Sequence, residues 1–169
     1  FPYCKIVLST WKLDHITFKK FEKLNISILE NIEPKAQNFG KVRNIDRQIL
    51  TTYTALEFLK NEGIEFALKS RTDWRIYKPN SIKFLINMIL NFPTKSKQMK
   101  GRIVVTSMIT SKFRIYGLTD TLQFGYTDDL INYWDKEFFT ESTERLNLNP
   151  YPKIINFTPV ISEIFLCVR

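Results

Sequence analysis

The sequence predicts an α/β fold, with a mostly parallel sheet covered by helices on both faces. Short apolar runs rich in β-branched residues, typical of buried strands, occupy residues 5–8, 64–68 and 102–107. Stretches with apolar residues at helical spacing separate these runs, and strands that alternate with helices form parallel sheets. The length of 169 residues fits one α/β domain that spans residues 1–169.

The elements follow one another without a visible domain boundary. The strand over residues 5–8 leads into a polar loop, and a helix over residues 14–23 and a short strand over residues 26–29 come next. Asn44 is a suitable N-cap for a helix that ends before Gly63. A further helix starts at Asn80 or Ser81 and ends before Pro93, and another starts near Thr127. Between these last two helices, Phe124 and Gly125 are expected to make a tight turn.

Composition excludes several classes of protein. The two cysteines, Cys4 and Cys167, lie at opposite ends, and His15 is the single histidine, so a zinc site or a Ser-His-Asp triad is poorly supported. The net charge of +8 favours a polyanionic partner, such as nucleotide phosphates, anionic lipid headgroups or nucleic acid. No apolar run reaches the roughly 20 residues of a membrane span and no signal peptide is visible. We expect a cytoplasmic protein that associates peripherally with the inner face of the membrane.

The segment after the strand at 64–68 carries the clearest chemical signal. Lys69, Arg71 and Arg75 surround a single carboxylate, Asp73, where the extended chain ends. Ligands of α/β proteins bind at the carboxyl ends of strands. Cations beside a carboxylate suit a diphosphate, with Asp73 holding a divalent metal or a sugar hydroxyl. A solvated ion pair at the end of a strand is the alternative interpretation.

Two further segments point to a nucleotide. Arg47 and Gln48 lie in the first turn of the helix that follows Asn44, where free backbone N–H groups bind anions. In the loop after the first strand, Ser9, Thr10 and Trp11 are candidates for hydrogen bonding to, or stacking on, a nucleotide base. The structural alternatives are that Arg47 and Gln48 are surface residues of a helix and that Trp11 packs on a helix.

Five segments, in order along nearly the whole chain, carry a family resemblance. They are residues 1–11 (FPYCKIVLSTW), 44–49 (NIDRQI), 69–73 (KSRTD), 118–125 (LTDTLQFG) with Asp129 and Trp134, and the acidic Glu163. Together they resemble the WavE family of bacterial lipopolysaccharide-synthesis proteins, which look like glycosyltransferases of the GT-A type. The resemblance implies a GT-A-like (Rossmann-like) sheet that lacks its first βα unit, and therefore an apolar strand edge that is open to pairing or to oligomer formation.

The resemblance also implies a function. The expected activity is a nucleotide-sugar-dependent glycosyltransferase that builds lipopolysaccharide, lipooligosaccharide or capsule on an oligosaccharide or lipid-linked acceptor. The residues expected to bind the nucleotide-sugar donor lie in the matching segments, except Arg75 just after the third: Ser9, Thr10, Trp11, Asn44, Arg47, Gln48, Lys69, Arg71 and Arg75. Either Mn²⁺ or Mg²⁺ at Asp73 balances the charge of the diphosphate, or the arginines do so in place of a metal. Asp120 has no capping role in its predicted loop and is the first candidate for the general base, with Glu163 the second.

Two alternatives stay open at this level. One is a non-catalytic remnant that keeps the fold and assists a full-length partner. The other is a basic α/β module that binds nucleic acid. The Lys and Arg residues look spread along the chain rather than collected in one helix, and no RNP, KH or zinc signature is present, which makes nucleic acid the weaker expectation.

Overall fold

The computed structural model describes residues 4–33, 44–107 and 119–135, which form five strands and four helices. In chain order these are β1 (Val7–Trp11), α1 (His15–Glu22), β2 (Ser27–Asn31), α2 (Asn44–Asn61), β3 (Phe66–Ser70), α3 (Ser81–Asn91), β4 (Val104–Val105), β5 (Leu122–Tyr126) and α4 (Thr127–Tyr133). The predicted α/β class is therefore confirmed.

The strands form two small sheets. β1 and β2 pair in parallel, with Val7 opposite Ser27 and Trp11 opposite Asn31. In the second sheet, β5 lies between β3 and β4 and is antiparallel to both. The described strands thus do not form the mostly parallel sheet expected from the sequence. Since β3 and β4 still run in the same direction, both antiparallel pairings come from β5, the one strand that runs in reverse.

Helices cover both faces of the three-stranded sheet. Ala67 of β3 faces a core cluster that contains Leu56 of α2 and Leu130 of α4. Its neighbours Phe66 and Leu68 pack instead against the cluster built around α3. This alternation follows from the two-residue period of a strand. α2 also contacts β1 and β2, so this helix connects the two sheets.

Local sequence signals explain where the helices begin and end. The carboxylate of Asp14 caps α1 by accepting hydrogen bonds from the backbone N–H groups of Ile16 and Thr17, at 3.0 and 2.9 Å. At the end of α2, Gly63 adopts a positive φ of 72°. The Gly63 and Ile64 N–H groups bind the carbonyls of Lys60 and Leu59. These two bonds form a Schellman motif, which confirms the predicted end of the helix.

Two predicted loops are strands. Ser9, Thr10 and Trp11 are the last three residues of β1 rather than a loop after it, because they pair with Leu29, Glu30 and Asn31 of β2. The expected turn at Phe124 and Gly125 is also wrong. Both residues lie in β5, opposite Leu68 and Ala67, and Gly125 has no positive φ.

Candidate functional site

A cleft of about 1110 Å³ is lined by β1, α2, β3 and the loop after β3. β1 pairs only with β2, and β3 pairs only with β5, among the strands the structure describes. Consecutive residues of both strands line the cleft, so their unpaired edges face it. One part of its wall is apolar, and the part near the end of β3 is polar and charged.

The polar part contains six of the residues that the sequence predicts for the site. They are Ser9, Gln48, Lys69, Arg71, Asp73 and Asp120. Among them, the loop after β3 and the loop before β5 are neighbours because antiparallel pairing sets Ser70 opposite Leu122. The carboxyl end of β3 is thus the centre of the candidate site.

Lys69 and Asp120 form an ion pair that is largely shielded from solvent. The Lys69 Nζ lies 3.8 Å from the Asp120 carboxylate, and the two side chains are 12% and 9% exposed. Lys69 also donates a short hydrogen bond to the Asp120 backbone carbonyl, and its Nζ lies 5.1 Å from the centroid of the Trp134 ring. Burial lowers the pKa of the Lys69 ammonium group below its usual value. The negative charge of Asp120 partly offsets this by raising the pKa, and the positive charge of Arg71 lowers the pKa further.

Buried hydrogen bonds hold the Asp120 loop in position. The Trp134 Nε1 donates to the Gln123 Oε1 at 2.7 Å, and the Gln123 Nε2 donates to the Thr119 carbonyl at 3.2 Å. The Thr119 hydroxyl bonds to the Thr121 hydroxyl at 2.8 Å. Because Thr119 and Thr121 flank Asp120, these bonds fix the backbone on both sides of the carboxylate.

Arg71 and Asp73 form a second, exposed pair. The Arg71 Nε and Nη2 donate to the two carboxylate oxygens of Asp73 at 2.9 and 2.8 Å, a bidentate geometry. These hydrogen bonds raise the pKa of Arg71 and lower the pKa of Asp73. Both oxygens of Asp73 are engaged, and no group of three His, Cys, Asp or Glu residues that could hold a metal occurs in the described ranges. Asp73 in this geometry fits a role in orienting Arg71 better than a role as a metal ligand.

Gln48 and Ser9 complete the polar wall. The Gln48 Oε1 is buried and has no hydrogen-bond donor within the described part of the chain. Because an unsatisfied buried acceptor is costly, this atom is suited to accept a hydrogen bond from a ligand hydroxyl or N–H group. The Ser9 hydroxyl accepts a hydrogen bond from Asn31 at 2.9 Å, which links the cleft to β2.

Other predicted site residues lie away from the cleft. Thr10, Trp11, Arg47 and Arg75 are not part of its wall. The Arg47 guanidinium forms a short ion pair with Glu33. Asn44 is the first residue of α2. Glu163 lies outside the described residues.

Sequence reasoning missed the residues that support the site. Gln123 and Trp134 belong to a matching segment but carry no site signal of their own in the sequence. The same holds for Lys5, which lines the cleft and donates a hydrogen bond to Glu62 at 2.5 Å. The one available signal is for burial, at Gln123. A glutamine between the apolar residues of a short strand is expected to be buried with a partner.

The fold and the site define the class: a mixed α/β protein with an ion-paired cleft at the carboxyl end of a strand. The chain belongs to the WavE family, because the family model described as WavE lipopolysaccharide synthesis matches residues 1–163. Membership implies involvement in lipopolysaccharide synthesis. Comparison with curated proteins gave no match, and comparison with solved structures gave none either. In the described ranges, no helix has the length and apolar character needed to cross a membrane.

Proposed function

We propose that the protein is a glycosyltransferase that transfers a sugar from a nucleotide-sugar donor to an oligosaccharide or lipid-linked acceptor of lipopolysaccharide, lipooligosaccharide or capsule. The observation that carries this proposal is the Lys69–Asp120 pair in the wall of the cleft, beside Arg71. A transferase of this kind needs cations for a diphosphate and a carboxylate for a hydroxyl. Membership of the WavE family supplies the biological setting.

The chemistry assigns a role to each charged group. Asp120 would accept the proton of the acceptor hydroxyl as its oxygen forms a bond to the anomeric carbon. The bond from that carbon to the phosphate oxygen breaks, and the nucleoside diphosphate leaves with an additional negative charge. Arg71 and Lys69 would stabilise this charge. Asp73 would orient Arg71 through the bidentate contact.

A GT-A-like sheet is part of the same proposal. One strand placed between β1 and β3 would join the two described sheets into a single sheet with helices on both faces. Its order would be β2, β1, the added strand, β3, β5 and β4. The parallel pairing of β1 with β2 and the common direction of β3 and β4 are compatible with this arrangement.

Thermal unfolding in the presence of UDP, GDP, CDP, CMP and TDP, with and without Mn²⁺, tests donor binding. One nucleotide at 100 times its dissociation constant should stabilise the protein by about 2.7 kcal/mol, a rise in Tm of about 5–10 °C. A stabilisation that needs Mn²⁺ would assign a metal to the site in spite of the Arg71–Asp73 contact. Equal small shifts with every polyanion that disappear in moderate salt would contradict the proposal.

Variants connect such binding to the cleft. Lys69→Met should abolish most of the nucleotide-induced shift, whereas Lys60→Met should preserve it because Lys60 lies outside the cleft and pairs with Asp128. Asp120→Asn should retain donor binding and lose sugar transfer, since it keeps the shape of the side chain and removes the base. A variant Asp120→Asn with unchanged transfer would exclude Asp120 as the base. A protein that binds no nucleotide would be assigned to the non-catalytic alternative.

A further inference from the structure

The excess positive charge of the chain is concentrated in one segment. Residues 74–119 contain nine of the 25 Lys and Arg residues and none of the 17 Asp and Glu residues. The other 16 basic residues are balanced by all 17 acidic ones. The basic residues themselves remain spread along the chain, and the local excess of positive charge arises because this segment has no acidic residues. The described part of this segment contains α3, its two flanking loops and β4.

The outer face of α3 and its flanks are also apolar. Tyr77, Phe84, Leu90 and Phe92 are between 57% and 82% exposed. They are half of the large hydrophobic residues found exposed in the described ranges, and they lie within 16 positions of one another. Such a concentration of exposed apolar side chains is typical of an interaction surface.

The basic side chains around these apolar residues have no acidic partners within the described part of the chain. Lys78, Lys83, Lys95 and Lys97 are exposed, and none forms an ion pair with another described residue. Lysines around aromatic and leucine side chains are the composition of helices that lie in the headgroup region of a membrane. We refer to Tyr77, Lys78, Lys83, Phe84, Leu90, Phe92, Lys95 and Lys97 as the α3 surface.

The α3 surface is presented by a fixed element. The opposite face of α3 carries Leu85 and Ile89, which pack against Phe124 of β5. The Ser81 hydroxyl donates to the Lys78 carbonyl at 2.5 Å, and the Arg102 Nε donates to the Pro93 carbonyl at 3.2 Å. The exposed residues therefore cannot turn inward without the loss of the core contacts on the other face.

We propose that the α3 surface docks the protein on an anionic phospholipid bilayer. Its apolar side chains would enter the headgroup region while the lysines bind lipid phosphates, and the absence of acidic residues from 74 to 119 provides the charge complementarity. Docking does not depend on glycosyl transfer, since the α3 surface lies outside the cleft wall. It adds a membrane partner to the proposed enzyme and assigns the residues that contact the membrane.

Co-sedimentation with vesicles tests the proposal. Vesicles of phosphatidylethanolamine and phosphatidylglycerol should bind the full chain at least about tenfold more tightly than vesicles of phosphatidylcholine, and salt should weaken this binding. Lys78→Glu with Lys83→Glu should reduce affinity at least about tenfold, because each basic residue near an anionic surface contributes roughly a factor of five. Phe84→Ser with Leu90→Ser should reduce binding even in low salt, because it removes apolar insertion.

α1 offers a matched control, since it also exposes apolar residues and lysines. Ile16→Ser with Leu24→Ser, and Lys19→Glu with Lys20→Glu, remove exposed apolar side chains and reverse exposed lysines on α1 and in the turn after it. These variants should bind vesicles as the parent does. Circular dichroism and thermal unfolding identify variants that do not fold, and the two α3 pairs are judged separately, so one failure leaves the other informative.

Three outcomes would overturn the proposal. One is equal loss of binding in the α1 and α3 variants, which would indicate non-specific charge. Another is equal binding to anionic and zwitterionic vesicles. A third is tight binding to a single-stranded oligonucleotide that anionic vesicles do not compete away, which would assign the α3 surface to nucleic acid.

Discussion

At the scale of single residues, the pairing of charges determines which groups are available to a ligand. Lys69 and Asp120 are 51 positions apart, and they meet because β3 and β5 pair in one register. Composition and spacing predicted each residue as a candidate but not the contact between them. A register is a tertiary property, so no local pattern in the sequence contains it.

The sequence and the structure differ in the roles that they give to Arg71 and Arg75. The sequence placed both beside Asp73, whereas only Arg71 lines the cleft and binds that carboxylate. We expect Arg71→Gln to weaken nucleotide binding at least about tenfold, because a charge-assisted contact contributes about 1.5–3 kcal/mol. Arg75→Gln should change it less than about twofold.

Isothermal titration of both variants with the nucleotide that stabilises the parent checks this expectation. Arg75→Gln is the matched control for Arg71→Gln, because both variants make the same substitution two positions from Asp73 along the chain. Equal losses in the two variants would show that the arginines act through the general field of the loop rather than through a contact in the cleft.

At the scale of elements, the first turn of α4 contains two carboxylates that bind different partners. The buried Asp129 carboxylate accepts hydrogen bonds from the backbone N–H groups of Lys100 and Gly101, at 3.0 and 2.8 Å. The more exposed Asp128 pairs with the side chains of Lys60 and Lys100. Both carboxylates lie in the first turn of α4, where negative charge is favourable. Their separate partners lie at least 28 positions away along the chain.

We expect Asp129→Ala to destabilise the protein by about 2–4 kcal/mol, because one buried and one partly buried backbone N–H group would lose a charged acceptor. Asp128→Ala should cost no more than about 1 kcal/mol, since its ion pairs are partly solvated. Urea denaturation of both variants measures the difference. Similar costs for the two would mean that charge at the start of α4, and not the backbone contact, provides the stability.

Acid should remove the contribution of Asp128. Hydrogen bonds from Lys100 and Lys60 lower the pKa of Asp128 from 3.8 to about 2 in the folded protein. A carboxyl with a folded pKa below its unfolded value stabilises the fold above the unfolded pKa, and this stabilisation is lost as pH falls through the folded value. The difference in Tm between the parent and Asp128→Asn should therefore be constant above about pH 5 and decrease towards pH 2. A constant difference over this range would show that the ion pairs do not form in solution.

The helices were easier to predict than the strands. The apolar spacing of α2 and the glycine after it specify a helix and its end locally, and the same is true of α3 before Pro93. β5 was missed because Gln123 and Gly125 interrupt its apolar pattern. In the fold Gln123 has a partner in Trp134, and a Cβ at Gly125 would lie 3.4 Å from Ile103, so both residues suit a crowded strand.

At the scale of the whole molecule, the cleft separates two sheets, and within residues 4–33, 44–107 and 119–135 each sheet presents one strand edge to the cleft that no described strand pairs with. Strands with free edges pair readily with other chains. We expect the 169-residue chain to self-associate through β1 and β3, because their apolar residues line the cleft and its edges supply free backbone groups. Sedimentation velocity over a wide range of protein concentrations should detect this association.

Hydrogen exchange identifies the edges that pair. Protection that increases with protein concentration should appear in β1 and β3. The outer edges of β2 and β4 serve as internal controls, because they have free sides away from the cleft in the described sheets. A monomer at all concentrations, with rapid exchange in β1 and β3, would contradict self-association. Protection in β2 or β4 instead would place the contact elsewhere.

The position of the three tryptophans has an optical consequence. Trp134 is fully buried beside the Asp120 loop, Trp74 is half-buried in the cleft wall, and Trp11 lies at the end of β1. A soluble quencher such as iodide should therefore reach the half-buried Trp74 and Trp11 and leave Trp134 emitting at short wavelength. A ligand in the cleft would shield Trp74, whereas loosening of the Asp120 loop would move the Trp134 emission to longer wavelength. The protein thus has separate fluorescent reporters of occupancy and of loop integrity without any added dye.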